Sequence, residues 1–284
     1  MIIRSFTRRS GVFPSLAQKS HHVPALLNHP ELEANGIPGL FSKEGFRIAY
    51  TQYQKHVIEQ LNTMTSGSKY ENMDPKSVVV DIARDPTTAY MFNVASMAFN
   101  NHFFFRGINT NPNVQSTPSA ALQPLINRNF SSLDSLRETF LLTADAMFGP
   151  GFVWLVQTDD ASAAAGSLRI LSTYIAGSPL SGAHYRRQAV DMNTENTDSY
   201  AGAFGASSRA RDNKAKKPLG GVDVTPLLCV NTWEHVWLHD YGIGGKMKYL
   251  ERWWDKIDWA QAEQFVSKPA PRSMSQGIHK FAGI

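Results

Sequence analysis

Apolar side chains recur at helical spacing along two long stretches in the first half of the chain. Between residues 40 and 62 they return every three or four positions, which predicts one helix. A second helix is predicted from about residue 87 to residue 105, and its small side chains at 94–98 would let the two helices pack closely. The polar stretch 63–76 between them contains glycine and proline and predicts a loop.

The second half of the chain mixes helical and strand periodicities. Two helices are predicted to begin at Pro118 and Ser132, because both residue types suit a helix start. The apolar stretches 149–156 and 168–174, joined by a short polar turn, predict a β-hairpin, and 222–230 predicts a third strand. Helical spacing with many aromatic residues returns after this strand. The sequence therefore predicts an α+β fold.

A polar insertion, residues 177–221, separates the second and third predicted strands. It is rich in Gly, Ala, Ser and Asn, and a loop of this length without regular structure is usually functional or disordered. Its cations are candidate RNA contacts, because Lys and Arg neutralise phosphates. These candidates are Arg186, Arg187, Arg209, Arg211, Lys214, Lys216 and Lys217. The alternative is a solvated, flexible insertion without a binding role.

Composition and charge narrow the class of protein. The chain has 284 residues, of which 42% are hydrophobic and 18% are charged, as in a soluble globular protein. The net charge of +4 is too small to require nucleic acid, although it favours an acidic partner. The single cysteine, Cys229, excludes a disulfide framework and favours a reducing compartment. Since no apolar stretch approaches the roughly 20 residues of a membrane-spanning helix, no membrane contact is predicted.

Residues 1–30 differ in composition from the rest of the chain. They contain the cations Arg4, Arg8, Arg9 and Lys19, several Ser and His residues, and no acidic residue. This composition is typical of a mitochondrial targeting peptide, so a location in the mitochondrial matrix is predicted. A disordered basic tail is the alternative, and any part kept in the mature protein would suit an acidic surface.

The most specific motif of the chain runs from Pro226 to Tyr241. It reads Pro-Leu-Leu, then Asn231, then Trp-Glu-His at 233–235, and ends at the tyrosine. This motif resembles the signature of the iron/manganese superoxide dismutases, in which the position of Asn231 holds an aspartate. The resemblance covers about residues 40–265, apart from the insertion.

The resemblance implies a domain organisation. A helical hairpin would occupy residues 31–117, and a second domain, 118–268, would contain a three-stranded antiparallel sheet flanked by helices. The basic insertion would lie inside this second domain. Residues 269–284 would form a C-terminal extension, and residues 1–30 would precede the hairpin.

In the dismutases four side chains bind the catalytic metal ion. The resemblance places their positions at Ala49, His102, Asn231 and His235, although the spacing from Phe92 to His102 differs slightly from the family pattern. A neutral amide is a weak ligand for a hard metal ion, and a catalytic metal usually keeps three protein ligands. We therefore predict a pseudoenzyme without a cofactor, whose two histidines are buried and hydrogen-bonded. An adventitious or structural metal ion at these histidines is the alternative.

The groups that surround the metal in the dismutases are also changed. The family's active-site tyrosine falls on Val57. The candidates for the glutamine that holds a metal-bound hydroxide are Met97, Ala176 and Gly177, none of which can do so by a side-chain hydrogen bond. The resemblance therefore implies loss of the outer groups as well as of the ligands.

Glu234 and His235 occupy positions that form the dimer interface of the dismutases. In that family the glutamate reaches the metal-binding histidine of the partner subunit, so its retention implies that an interface is kept. The family's interface tyrosine falls on Leu238, so the surface has changed. A changed but retained interface fits a heterodimer with a related chain at least as well as a homodimer.

A dismutase fold without its metal, combined with a targeting leader and a basic insertion, resembles one group of proteins. These are the dismutase-like proteins of the small subunit of the fungal mitochondrial ribosome, which occur as a related pair. The resemblance implies a structural role with contacts to ribosomal proteins and rRNA. Two other classes stay open: a non-ribosomal matrix protein such as an assembly factor, and an active dismutase with unusual ligands.

Overall fold

The part of the chain that the computed structural model describes comprises residues 26–83, 85–111, 116–158, 167–181, 183 and 224–266. All the candidate RNA contacts, the C-terminal extension and most of the predicted leader lie outside these residues. The predicted end of the leader at residue 30 falls inside a helix, because His29–Asn35 form α1.

The described first half of the chain is helical, as its periodicity predicts. In chain order the helices are α1, α2 (Lys43–Phe46), a π-helical segment (Arg47–Gln52), α3 (Tyr53–Thr65), α4 (Pro75–Ile82), a 3-10 turn (Pro86–Thr88) and α5 (Ala89–Arg106). The α2 helix, the π-helical segment and α3 follow one another without a break and correspond to the predicted helix 40–62. Both α3 and α4 pack against α5.

The first long helix begins at Lys43 rather than at residue 40 because Ser42 caps it. The Ser42 hydroxyl accepts a hydrogen bond from the N–H of Gly45 at 3.0 Å. The Asp240 carboxylate accepts two hydrogen bonds from Ser42, from its N–H at 2.8 Å and from its hydroxyl at 2.6 Å. The apolar spacing continues across this cap, so periodicity alone placed the start too early.

Helix α4 lies entirely outside the two predicted helices, and its first two residues fall in the stretch predicted as a loop. Its signals are local. Asp74 accepts a backbone N–H three residues further on, and Pro75 occupies the first turn. Val78, Val79 and Ile82 then bury one face against the core.

The second half supplies the sheet and five more helices. They are α6 (Leu122–Phe130), α7 (Leu133–Asp145), β1 (Gly151–Thr158), β2 (Ser167–Tyr174), β3 (Val224–Asn231), α8 (Glu234–Tyr241), α9 (Lys246–Trp254) and α10 (Trp259–Gln264). This arrangement confirms the predicted α+β fold. Across the described residues, no helix combines the length and the apolar character that crossing a membrane requires.

The three strands form one antiparallel sheet in the order β2-β1-β3, and the central strand β1 is buried along its whole length. The pairing of β1 with β3 shifts between Leu155 and Val156, opposite Pro226. Proline has no N–H to donate, so an irregular ladder is expected there. Further along β3, Cys229 is buried opposite Trp154, and burial raises the pKa of its thiol.

Packing brings distant parts of the chain together at the end of the sheet. The α5 helix packs against β3, and α8 packs against both α2 and the π-helical segment. The buried side chains form one connected cluster that extends from Leu26 to Ala262. The end of β3, the start of α8, the centre of α5 and the π-helical segment therefore meet around one point.

Candidate functional site

Asn231, the last residue of β3, is fully buried at this meeting point. Its side-chain oxygen accepts a hydrogen bond from the N–H of Trp233 at 2.9 Å, which shapes the turn into α8. Its side-chain nitrogen donates to the side-chain oxygen of Asn101 at 3.2 Å. Its backbone carbonyl accepts a hydrogen bond from the Tyr249 hydroxyl at 2.8 Å. Both polar atoms of the Asn231 side chain are therefore engaged inside the protein.

Asn101 extends this connection from α5 to the first long helix. Its side-chain nitrogen donates to Gln54 Oε1 at 3.0 Å and to the backbone carbonyl of Ala49 at 3.3 Å. The Gln54 side chain in turn donates to the carbonyl of Ala98 at 2.9 Å. We call Asn231, Asn101 and Gln54 the amide centre. All three side chains are buried and neutral.

The amide centre joins three separate elements through hydrogen bonds that run in one direction. Asn231 on β3 donates to Asn101 on α5, and Asn101 donates to Gln54 on α3. Each of the three side-chain oxygens also accepts a hydrogen bond. Buried polar groups are tolerated when their hydrogen bonds are made, and a satisfied network specifies one arrangement of the surrounding elements. The centre therefore fixes how β3, α5 and α3 pack against one another.

His102 lies elsewhere, which differs from the position that the family resemblance gave it. The residue of α5 that reaches Asn231 is Asn101, and successive residues of an α-helix point about 100° apart. The His102 ring instead forms a hydrogen bond through Nδ1 with the Tyr50 hydroxyl at 3.0 Å. The irregular spacing from Phe92 was the signal in the sequence that could have revealed this shift of one residue.

His235 lies in the first turn of α8, and its ring stacks on Tyr53 with 4.2 Å between ring centroids. The Trp233 ring packs against it at 5.6 Å. Among the described residues, the buried Nε2 atom of His235 has no hydrogen-bond partner. Burial lowers the pKa of His235 to about 4, so the ring is neutral at neutral pH. The prediction that His235 would be hydrogen-bonded therefore does not hold at this atom within the described chain.

Of the other predicted positions, Ala49, Val57, Met97 and Ala176 are buried in the core. Ala49 contributes its backbone carbonyl, and Val57, Met97 and Ala176 are buried apolar side chains. The Gly177 carbonyl accepts a hydrogen bond from Asn100 at 2.9 Å. Glu234 and Leu238 are exposed on α8.

Sequence reasoning missed Asn101, Gln54 and Tyr53 as residues of the site. The signal for Gln54 was present, because it is a polar residue on the buried helical face that also carries Tyr50, Val57 and Leu61. In the described part of the chain, no three side chains of the types His, Cys, Asp and Glu are grouped in a way that could hold a metal ion.

Comparison with known proteins agrees with the fold. The sequence profile of the C-terminal domain of the iron/manganese superoxide dismutases matches residues 118–191 and 206–265. Two fission-yeast (Schizosaccharomyces pombe) proteins are similar over most of their length. The small ribosomal subunit protein mS43 is 28% identical over 88% of this chain and 89% of its own. The small ribosomal subunit protein mS42 is 30% identical over 79% and 87%.

An iron superoxide dismutase of Bordetella pertussis is 26% identical over 77% of this chain and 86% of its own length. The described residues form an α+β fold of helices and one three-stranded antiparallel sheet. A buried polar centre lies where the sheet meets the helices. The chain belongs to the iron/manganese superoxide dismutase family.

Proposed function

We propose that this protein is a non-catalytic, structural component of the small subunit of the mitochondrial ribosome, located in the mitochondrial matrix. Two of its relatives carry the names of small ribosomal subunit proteins, and each aligns over more than three quarters of this chain. The acid-free leader predicted from the sequence supports import into mitochondria. The observation that carries the non-catalytic part of the proposal is the amide centre.

The amide centre does not suit a catalytic metal ion. A cation there would need lone pairs from side-chain oxygens that already accept hydrogen bonds from Trp233, Asn231 and Asn101. The centre supplies no carboxylate to balance a cation, and neutral amides are weak ligands for iron or manganese. Of the two histidines, His102 faces Tyr50 rather than the centre. The residues present therefore support a structural core in place of a redox site.

Restoring the carboxylate alone should not restore chemistry. We expect Asn231→Asp, purified in the presence of iron or manganese, to show no superoxide dismutation above that of the free metal ion. The reason is that the positions of Ala49 and Asn101 still offer no imidazole. An iron superoxide dismutase assayed in parallel serves as the positive control. Metal-dependent turnover by the single variant would refute the proposed loss of the site.

Sedimentation tests the ribosomal role directly. The tagged endogenous protein should migrate with the small subunit in a sucrose gradient of a mitochondrial lysate, and it should remain there after magnesium chelation separates the subunits. A matrix dismutase of dimer size marks the position of free protein. Migration of the protein at that marker would reject the ribosomal role and favour a free matrix pseudoenzyme.

We also propose that α8 contributes to a heterodimer with a related chain. Beside Glu234 lies an exposed apolar area: Phe148 is 97% exposed and Ile175 is 59% exposed. Two hydrogen bonds link the residues of this area. The Ile175 N–H donates to the carbonyl of Pro150, and the Trp233 ring N–H donates to the carbonyl of Ile175. We call Phe148, Ile175, Trp233 and Glu234 the Phe148 surface.

Two further observations support a partner at the Phe148 surface. Ile175 has a φ of 53°, which is rare and strained for a β-branched residue, and such strain concentrates at functional sites. Glu234, next to His235 at the start of α8, is exposed, and the His235 side chain is only partly buried. In a two-fold arrangement each chain could place its glutamate against the other's histidine. The relatives mS42 and mS43 from one organism show that two such chains can coexist.

Polar substitution of the Phe148 surface should separate the pair. We expect the double variant Phe148→Ser, Ile175→Asn to recover at least about tenfold less of the related chain on affinity purification, because central apolar contacts dominate interfaces. Val80→Ser, on an exposed position of α4, is the matched control and should behave as wild type. Recovery of identical chains only, measured by mass spectrometry, would replace the heterodimer with a homodimer.

Contacts with rRNA are proposed for the basic insertion rather than for the described body. The described residues contain 13 Lys and Arg against 17 Asp and Glu, a net charge of −4, whereas the whole chain has +4. The remaining residues therefore carry a net +8. This distribution supports a body that meets proteins and separate basic segments that meet phosphates.

Deletion of residues 209–217 should weaken assembly and leave folding intact. The segment carries Arg209, Arg211, Lys214, Lys216 and Lys217 against a single acidic residue. We expect the deletion protein to be soluble, to unfold at the wild-type temperature, and to shift from the small subunit towards free protein in the gradient. An insoluble or destabilised product would instead identify the segment as part of the core.

A further inference from the structure

A cavity of about 390 Å³ lies between α1, the end of α5 and the start of α10. We call it the α1–α5 cavity. One part of its wall is apolar: Leu27 is 86% exposed there, and Leu32, Phe105 and Ile108 lie nearly buried behind it. Its polar residues include His102, Arg106, Asn109 and Asp258. A volume of this size falls within the range of about 300 to 1,000 Å³ that is typical of small-molecule sites.

His102 presents a neutral hydrogen-bonding edge to this cavity. The Tyr50 hydroxyl and His102 Nδ1 form a hydrogen bond at 3.0 Å, and burial raises the pKa of that hydroxyl. Burial, with a smaller contribution from Arg106, lowers the pKa of His102 to about 4. The histidine is therefore neutral at neutral pH and does not add positive charge to the wall of the cavity.

Arg106 supplies the positive charge. It follows His102 by four residues on α5, so the two side chains share one face of the helix. Its exposed guanidinium lies over the Phe265 ring, with Cζ 5.5 Å from the ring centroid, and it takes part in none of the ion pairs among the described residues. A planar guanidinium held in this way suits a phosphate group.

Asp258 adds an acceptor to the same wall. Its Oδ1 caps α10 by accepting the N–H of Gln261 at 3.0 Å. The second carboxylate oxygen can accept a hydrogen bond from an amino group of a ligand. A purely apolar ligand, such as a lipid chain, would desolvate this carboxylate without replacing its hydrogen bonds to water, which is unfavourable.

We propose that the α1–α5 cavity binds a nucleotide. The base lies against Leu27, its exocyclic amino group donates to Asp258, and its phosphate binds Arg106. The nucleotide is either a free mononucleotide or an unpaired nucleotide of an RNA strand, which share this chemistry. The site is separate from the amide centre and does not depend on the proposed ribosomal role.

The test is titration of the full-length protein with AMP, CMP, GMP and UMP and with a single-stranded RNA hexamer, followed by calorimetry. Because uracil has no exocyclic amino group, we expect UMP to bind more weakly than the other three. Arg106→Gln should weaken binding at least about tenfold, since it removes a charge-assisted contact to phosphate. Arg252→Gln, an exposed arginine on α9, is the matched control and should have no effect.

Asp258→Asn is the second variant, and it retains a residue that can cap α10. This variant should reduce the preference of the protein for AMP and CMP over UMP while the protein stays folded. Equal affinity for AMP and the hexamer identifies a free nucleotide as the ligand, and binding of the hexamer alone identifies RNA. The proposal is overturned if neither binds at millimolar concentration, if Arg106→Gln has no effect, or if inorganic phosphate competes as well as AMP.

Discussion

Asn231→Asp should lower the free energy of unfolding by about 3 kcal/mol at pH 7, because it places an unpaired charge in the amide centre. One carboxylate oxygen can still accept the N–H of Trp233, but the other would face the side-chain oxygen of Asn101. Rotating the Asn101 amide does not help, since its oxygen would then face Gln54 Oε1 and the carbonyl of Ala49.

The effect of Asn231→Asp should depend on pH in a defined direction. Burial, with no donor for the second oxygen, raises the pKa of the new carboxyl in the folded state above its value in the unfolded chain, which is about 3.9. The folded state then holds its proton more tightly, so stability falls as pH rises between the two pKa values. As pH falls through the folded pKa, the protonated carboxyl can donate to Asn101 and the difference from wild type should narrow.

Urea unfolding of wild type, Asn231→Asp and Asn231→Ala at pH 5 and pH 7 measures this effect. Asn231→Ala removes the same hydrogen bonds without adding a charge, so its loss of stability should not narrow at the lower pH. An Asn231→Asp protein as stable as wild type at pH 7 would show that the centre can rearrange around an anion and could therefore also accommodate a metal ion.

Gly45→Ala should lower the free energy of unfolding by about 2 kcal/mol, because a methyl group at residue 45 would overlap the Asp240 carboxylate. Moving that carboxylate breaks its two short hydrogen bonds with Ser42, which hold the start of α2 to the end of α8. The same contact positions the helix that carries Glu234 and His235, so partner binding should weaken as well.

A double-mutant cycle with Asp240→Ala tests this explanation. Without the carboxylate, the overlap is gone and alanine is the better helix former, so Gly45→Ala should then stabilise the protein by up to about 1 kcal/mol. The sign of the Gly45→Ala effect therefore reverses between the two backgrounds. Destabilisation of equal size in both backgrounds would place the clash elsewhere.

The sequence predicted the elements of this fold well where one periodicity dominated. The three strands were found because β-branched and apolar residues are bounded by turn residues, and α7 was found because Ser132 caps it. Helix α4 was missed because its start rests on Asp74 and Pro75, which were read as loop residues. Local capping chemistry thus mattered as much as the apolar pattern.

The site was harder to predict than the fold. The motif around Asn231 identified its centre, but the residue opposite it on α5 depended on a register of one position. A motif fixes residues that are close in sequence, whereas Asn101 and Gln54 approach Asn231 only through tertiary packing. The hydrogen bond between His102 and Tyr50 could not be predicted from the residue spacing within either helix alone. It depends on how α5 lies against the π-helical segment.

Labelling of Cys229 can report when the sheet separates from the helices that cover it. This residue is the single thiol in the chain, and it is buried in the middle of β3 opposite Trp154. A thiol reagent can modify it only when the sheet separates from the helices that cover it, so the rate of labelling follows the population of open molecules. The wild-type protein can therefore be labelled at this one site in both its free and its assembled state. Slower labelling of Cys229 in the assembled state measures how much the partners stabilise the protein.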